Sequence, residues 1–213
     1  MKRIFNLLFL VLPIIACGQI KIGASLGYQF TNIGRYDLVE TKQAGNPSFG
    51  IIGEYDIPKS SFSLSGEVLY TTMGYRNSNI QATDKQGNSL GGNVDFHRIG
   101  YVKVPLCIQF DETTSSITIK GGIGVFTAFH TGDKLRIKGG DTFGNGTAIP
   151  AGKKGITSVL YGVVIQGGIV WSSFGLFLHF DQSFNGIYKN QSAGAQDWKI
   201  SAYGLSLSYF FKK

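Results

Sequence analysis

The chain has 213 residues and a mass of 23.1 kDa, which is the size of one domain. Charged residues make up only 15%, against about 25% in ordinary soluble domains, whereas its 30 glycines are about twice the usual ~7% share. Because glycine disfavours helices, this composition excludes helical bundles, coiled coils and collagen-like repeats and favours a fold rich in β-strands.

The N-terminal residues have the features of an export signal. A basic start, Lys2 and Arg3, precedes an apolar run at residues 4–15, and the small residues Ala-Cys-Gly follow. These features are typical of a secretory signal peptide. The apolar run is too short for a membrane-spanning helix, which needs about 20 residues. We therefore expect a signal peptide over residues 1–18. A lipoprotein signal, with Cys17 acylated, is the alternative.

The mature domain, residues 19–213, alternates apolar and polar side chains with the period of two that marks β-strands. Eight such segments follow one another, at residues 20–30, 49–57, 62–70, 102–110, 117–125, 163–171, 174–180 and 203–211. If the last strand began earlier, Lys199 and Ser201 would fall on its apolar side, which suggests a bulge there.

The connections between these segments alternate in length. Three are short, near residues 58–61, 111–116 and 172–173, and the four between them are longer, near residues 31–47, 76–95, 131–157 and 189–197. Short turns at one end and long loops at the other are typical of small outer-membrane barrels. Lipid offers no hydrogen bonds, so a spanning sheet must close on itself. The sequence predicts an all-β, eight-stranded antiparallel up-and-down transmembrane β-barrel.

A soluble, lipocalin-like barrel is the alternative fold, and it would place the apolar face inside. The polar faces here consist mostly of glycine, serine and threonine, which suits a narrow lumen better than a solvated exterior. We therefore expect the apolar faces to contact lipid, with the protein a monomer in the outer membrane of the cell.

The hairpins can be paired so that their apolar faces stay together. This holds if Ile57 pairs with Phe62, if Phe110 pairs with Ile117, and if Trp171 pairs with Phe174. A slip of one residue would turn a whole face over. The aromatic residues near the predicted strand ends would then lie at the two membrane interfaces.

Three short stretches resemble the PorT-like family of outer-membrane β-barrels. Tyr101-Val102-Lys103-Val104-Pro105-Leu106 is similar to that family's tyrosine–x–x–x–proline–leucine strand, and residues 66–74 and 120–124 are similar to two others. The sequence departs from the family at Lys103, where a glutamate is frequent, and in ending Lys212-Lys213. The resemblance implies an eight-stranded outer-membrane barrel without an assigned activity; the secretion role of the family's namesake does not transfer on fold alone.

An eight-stranded barrel is just wide enough for side chains to fill it, so charges inside must pair. The alternation places a set of ionisable residues in the lumen: Glu54, Glu67, Lys103, Lys120, His179 and Asp181. We predict an interior polar network in which Glu67 meets Lys103, with Glu54 and Lys120 nearby. The alternative is that these charges are solvated at the barrel ends.

Two histidines raise the question of a metal site. Extending the hairpin pairing of Phe110 with Ile117 puts His97 directly opposite His130, with Asp95 and Asp133 close by. Two imidazoles and a carboxylate are suitable ligands for zinc, but a single bulge would separate them and a water-sharing pair is the simpler reading. We therefore expect no metal, no cofactor and no catalytic residues. The chain lacks the G-x-S-x-G and H-E-x-x-H motifs.

The longest connection, residues 131–157, carries a basic patch. It holds five basic residues against two acidic ones, and the basic residues are Lys134, Arg136, Lys138, Lys153 and Lys154. On the outer face this patch can meet lipopolysaccharide phosphates, or it is a solvated loop. Nucleic acid is excluded as a partner because no basic–aromatic cluster is present.

The function predicted from these features is a non-enzymatic outer-membrane protein, structural or accessory, that contacts outer-membrane lipids and presents loops to the exterior or to a secretion partner. The alternative is a small-ligand-binding or lipid-modifying barrel acting at its external rim, where His130 with Ser78 or Ser89 and Asp95 would supply the chemistry.

Overall fold

The computed structural model describes residues 20–34, 42–76, 81–83, 89–138, 156–187 and 199–211. The predicted signal peptide, including Cys17, lies outside the described residues. In the described part of the chain, no helix has the length and apolar character needed to cross a membrane.

Nine antiparallel strands make up the described structure, and eight of them close into a barrel. The order around the barrel is β1-β2-β3-β5-β6-β7-β8-β9, and β9 pairs with β1 to close it. The short β4 pairs with β5 alone among the described strands. The strands are β1 (Ile20–Gly34), β2 (Lys42–Asp56), β3 (Phe62–Arg76), β4 (Gln81–Thr83), β5 (Ser89–Thr114), β6 (Ile117–Lys138), β7 (Val159–Trp171), β8 (Phe174–Ser183) and β9 (Lys199–Phe210).

The apolar faces point outward, as the alternation predicts. Leu26 and Leu178 are more than 60% exposed on the outer surface, whereas Glu54, Lys103 and Lys120 are each less than 5% exposed in the lumen. The alternative of a soluble barrel with an apolar interior and a polar exterior is therefore wrong. The predicted all-β fold, with eight strands in an antiparallel barrel, is confirmed.

The strands are longer than the alternation indicated. The predicted loop at residues 31–47 contains the end of β1 and the start of β2, and the predicted loop at 131–157 begins with the last part of β6. A membrane-facing strand must show an apolar face only over the thickness of the lipid. Beyond that band the apolar and polar residues no longer alternate regularly, although the backbone hydrogen bonds between the strands continue.

Two of the three predicted hairpin registers are confirmed. Trp171 pairs with Phe174, and the Ile57 amide donates to the Phe62 carbonyl at 3.0 Å. The third register is wrong by four residues, because Phe110 pairs with Gly121. β5 continues to Thr114 and the turn is only Ser115-Ser116. A shift by an even number leaves every side chain on its predicted face.

The bulge suggested for the last strand does not occur. β9 pairs in continuous register with β1 up to Gly34 opposite Lys199, and Ser201 donates a hydrogen bond to the Gln182 side chain at 2.6 Å. These positions lie at the outer rim. A bulge occurs instead between β5 and β6, where Tyr101 pairs with His130 but Gly100 pairs with Gly132.

The half of the lumen nearest the long loops is closed by an apolar cluster. Tyr101, Phe126 and Leu160 project inward from β5, β6 and β7 and are almost fully buried. Ile156 and Ile187, from the connections outside β7 and β8, fold into the same cluster and are at most 1% exposed. The Thr157 amide donates to the Ile187 carbonyl at 2.7 Å, which holds the two segments together over the mouth.

Candidate functional site

Charged side chains fill the half of the lumen nearest the short turns. The Lys120 ammonium on β6 lies 2.9 Å from a Glu54 oxygen on β2 and 2.7 Å from an Asp111 oxygen on β5. Lys21 on β1 lies 3.0 Å from the same Glu54 oxygen and 2.9 Å from Asp56. We call these five residues the basal ion network. It ties four strands together across the lumen.

Above the basal ion network, Lys103 on β5 makes a buried ion pair with Asp181 on β8. The same ammonium lies 5.2 Å from the centre of the Phe126 ring, where the charged half of the lumen meets the apolar half. The predicted pairing of Lys103 with Glu67 is replaced by this one, because Leu69 is the cross-strand partner of Lys103. Glu67 lies near Ser25 and Lys103 and does not form the predicted ion pair.

The acids of the basal ion network are close enough to suggest a cation site. Glu54, Asp56 and Asp111 offer oxygens within 4.8 Å of one another. However, the Lys21 and Lys120 ammonium groups already lie between them, and each ammonium supplies the positive charge that a metal ion would. These carboxylates are therefore bound by the chain's own cations.

A half-open cavity of about 270 Å³ lies at the short-turn mouth. Its wall combines Lys21 and Glu54 with hydroxyl groups from the end of β5, Thr113, and from two turns, Ser115 and Ser172. Water therefore reaches the basal ion network from this side, whereas the apolar cluster closes the other side.

Aromatic side chains gather at both edges of the outer apolar band. At the long-loop edge Phe30 stacks on Tyr203 with ring centres 5.6 Å apart. At the short-turn edge Phe174 packs against Tyr209 at 5.1 Å. Two aromatic belts flanking an apolar band, around a polar lumen in a sheet without edges, are the surface of a protein that spans lipid. The chain is an outer-membrane β-barrel. In bacterial outer-membrane barrels the short turns face the periplasm.

Comparison with known proteins gives the barrel no family. No family model matches its sequence, and no curated protein matches it. Among solved structures, the chain is similar to the attachment invasion locus protein Ail of Yersinia pestis, solved in complex with the heparin analogue sucrose octasulfate. The two sequences are 12% identical, the alignment covers 91% of this chain and 99% of Ail, and the TM-score is 0.46. Neisserial surface protein A is 11% identical, with 91% and 97% covered and a TM-score of 0.47.

The predicted histidine pair is not brought together. His130 is opposite Tyr101, and their rings lie 5.7 Å apart, whereas the partner of His97 is Leu135. The two histidines are thus five residues out of register, about 17 Å along the ladder. The cause is the four-residue error in the hairpin register together with the bulge beside Gly100. These two residues cannot share one metal ion.

The residues considered for rim catalysis are also separated. Asp95 lies six residues beyond Tyr101, the partner of His130, along β5, which corresponds to about 20 Å. Ser89 is farther still, at the start of β5, and Ser78 lies outside the described residues. The register therefore assembles no acid–base pair from this set.

The basic patch divides into two parts. Lys134, Arg136 and Lys138 belong to β6 and pair with Arg98, Phe96 and Asn93 of β5, so the prediction that they lie in a loop is wrong. Lys153 and Lys154 lie outside the described residues. The strand reaches farther than expected because β5 and β6 stabilise each other beyond the barrel rim.

Sequence reasoning missed three residues that shape the lumen. Asp111 was assigned to a turn, yet it continues the inward series of Lys103, Cys107 and Gln109 on β5, so extending that parity by two residues would have found it. Ile156 and Ile187 could not be found in this way, because a single apolar residue in a polar connection is not part of an alternating pattern.

Proposed function

We propose that the barrel is a non-enzymatic anchor of the outer membrane that holds its external segments in place for contact with lipopolysaccharide or with a protein partner. The observation that carries this proposal is the closure of the lumen. The apolar cluster around Tyr101, Phe126 and Ile187 fills the outer half, and the basal ion network pairs the charges of the inner half.

A filled lumen leaves the barrel no path for a solute. A buried charge without a partner is strongly unfavourable, which disfavours separation of the Lys103 and Asp181 side chains inside the lumen. The alternative role, a lipid-modifying or ligand-binding rim, loses its support because the register separates Asp95 from His130. A structural or accessory role requires only the stable barrel and its external segments.

The PorT-like type is part of the proposal and rests on the sequence motif around Tyr101 and Pro105. Both residues of that motif project into the lumen, where Tyr101 is fully buried, while Leu106 faces outward at 59% exposure. Two residues of the motif thus help to fill the lumen and the third lies on the lipid-facing surface, so the motif contributes to the packing of a closed barrel. Participation in secretion would require a partner at the rim or at the periplasmic mouth.

Two measurements test the proposed function. In planar lipid bilayers the purified barrel should give no steady conductance, and stepwise opening in the unmodified protein would contradict the closed lumen. On whole cells, added protease should cut the long-loop segments and leave the strands protected. Complete resistance of these segments on intact cells, with cleavage after the outer membrane is broken, would contradict their external display.

Lipopolysaccharide is the proposed lipid partner of the basic residues. Binding of purified lipopolysaccharide micelles should weaken as salt rises, because phosphate contacts with lysine and arginine are screened. Replacing all five residues of the basic patch by glutamine should remove that salt-dependent part. Unchanged binding by this variant would contradict the lipid contact while leaving the anchor role standing.

A further inference from the structure

The hairpin of β5 and β6 rises beyond the rest of the barrel. Pairing between β3 and β5 ends at Tyr75 opposite His97, and pairing between β6 and β7 ends at Phe129 opposite Val159. Pairing between β5 and β6 continues to Asn93 opposite Lys138. The two strands therefore form a ribbon above the rim. We call this part the external ribbon.

The two edges of the external ribbon differ. On the β5 side, β4 pairs with it, Gln81 opposite Asn93. On the β6 side, the His130 amide donates to the Ser158 carbonyl at 2.9 Å, which is the backbone hydrogen bond farthest along this side among the described residues. In the part of the chain that the structure describes, no strand pairs with residues 131–138 on that side. Residues 131–138 span about 26 Å of this edge, and none of the described strands pairs with their backbone donors and acceptors there.

The sequence of this edge alternates basic and apolar residues. Lys134, Arg136 and Lys138 alternate with Leu135 and Ile137, and Asp133 is the only acid in residues 131–138. A strand added beside this edge would place its own side chains opposite these residues in register. Opposite charges at such cross-strand positions contribute about 0.2–1 kcal/mol for each pair.

We propose that the β6 edge of the external ribbon, residues 131–138, takes up an extended acidic segment of a partner protein as an additional β-strand. Main-chain hydrogen bonds supply the affinity in this mode of recognition, and alternate side chains supply the specificity. The partner segment alternates acidic and apolar residues, complementary to the edge. The inference rests on the proposed function, because the ribbon meets a partner only if the long-loop end faces the exterior.

Basic residues in a strand at the edge of a sheet also have a simpler use. Lysine on an edge strand discourages the strand from pairing with another copy of the same chain. Positive side chains on the edge disfavour pairing with a basic or an apolar strand. They do not disfavour pairing with an acidic strand. The two uses predict different results for an acidic strand, because only a partner-binding edge should bind it. The test therefore uses an acidic peptide.

The test measures binding of fluorescent peptides to the folded barrel in zwitterionic detergent. A peptide of alternating glutamate and valine should bind. A peptide of alternating glutamate and proline has the same charge but few backbone donors for a ladder, and it should not. Equal binding of both peptides would overturn the proposal, since charge alone would then suffice.

Variants of the chain separate the edge from the rest of the basic patch. The triple variant K134Q/R136Q/K138Q should weaken binding of the glutamate–valine peptide about tenfold, as three exposed charge pairs allow. The matched control K153Q/K154Q removes basic residues outside the ribbon and should change binding by less than about twofold. A larger effect of the control than of the triple variant would contradict the assignment of the site.

Amide hydrogen exchange reports directly on the edge. Alternate amides within residues 131–138 should exchange quickly in the barrel alone and slowly when the glutamate–valine peptide is present. Protection before any peptide is added would overturn the proposal, because another segment would already occupy the edge. Binding of lipopolysaccharide micelles without binding of the peptide would overturn it as well. If the long-loop segments were not on the cell surface, they would resist protease on whole cells. That result would contradict the proposed function and can be distinguished from a failure of peptide binding.

Discussion

The Lys120 ammonium on β6 and the Glu54 carboxylate on β2 lie 2.9 Å apart across the lumen. Two strands, β3 and β5, separate them around the barrel wall. Both side chains are less than 5% exposed, and each has a second partner of opposite charge, Lys21 beside Glu54 and Asp111 beside Lys120. The pair links distant parts of the wall across the half of the lumen nearest the short turns.

Removing one member of this pair should destabilise the barrel strongly. We expect Lys120→Met to lower the free energy of unfolding by about 3–5 kcal/mol, because Asp111 would lose the ammonium beside it and Glu54 would keep only Lys21. Urea unfolding in detergent micelles, followed by tryptophan fluorescence, measures the change. Lys59→Gln, in an exposed turn, is the control and should have little effect. A Lys120→Met barrel as stable as the parent would exclude a structural role for the network.

Glycine at position 124 is required by close approach of the neighbouring strand. A Cβ atom there would lie 2.0 Å from the Leu106 carbonyl oxygen and 2.7 Å from Cys107 Sγ. Gly124→Ala should therefore cost about 1–3 kcal/mol, the usual range for overpacking. Gly121→Ala, on the outward face of the same strand, meets no atom within 4 Å and should be neutral. Equal stability of the two variants would show that the face assignment of β6 is incorrect.

Arginine in the middle of the outer band should be costly. Leu178 is 63% exposed in the centre of β8, and an arginine at the bilayer midplane costs about 2–4 kcal/mol. We expect Leu178→Arg to lose that much stability in lipid vesicles, measured by reversible unfolding. Ser116→Arg, in a short turn, is the matched control and should cost less than about 1 kcal/mol. No difference between the two would mean that β8 does not contact lipid.

Ile187 should contribute to the apolar cluster that closes the outer half. Replacing a fully buried isoleucine by alanine costs about 2–5 kcal/mol, and replacing it by valine costs about 0.5–1.5 kcal/mol. We expect Ile187→Ala and Ile187→Val to follow this order in urea unfolding. If both variants matched the parent, the segment at residues 184–187 would not be packed in the lumen.

The sequence was sufficient for the architecture because the membrane imposes a simple rule on each strand. Wherever a strand crosses lipid, alternate residues must be apolar, and segments such as residues 174–180 show this clearly. The parity of each hairpin followed from the same rule. Lys103 and Lys120 were placed in the lumen for this reason alone.

Details that the alternation does not encode could not be predicted. Parity cannot distinguish registers that differ by an even number, so Phe110 opposite Ile117 was as acceptable as Phe110 opposite Gly121. The partner of Lys103 is Asp181, three strands away around the wall, and only the size and tilt of the closed barrel decide which inward groups meet. The apolar residues of the connections, Ile156 and Ile187, reach the lumen through tertiary packing.

The central claim is that the apolar face of each strand contacts lipid and the ionic face fills a closed lumen. Spin labels attached to Leu178→Cys and Ser116→Cys, in a Cys107→Ser background, test it in lipid vesicles. The label at position 178 should collide with dissolved oxygen and not with a water-soluble nickel chelate, while the label at position 116 should show the opposite preference. Equal access of the nickel chelate to both labels would contradict the account.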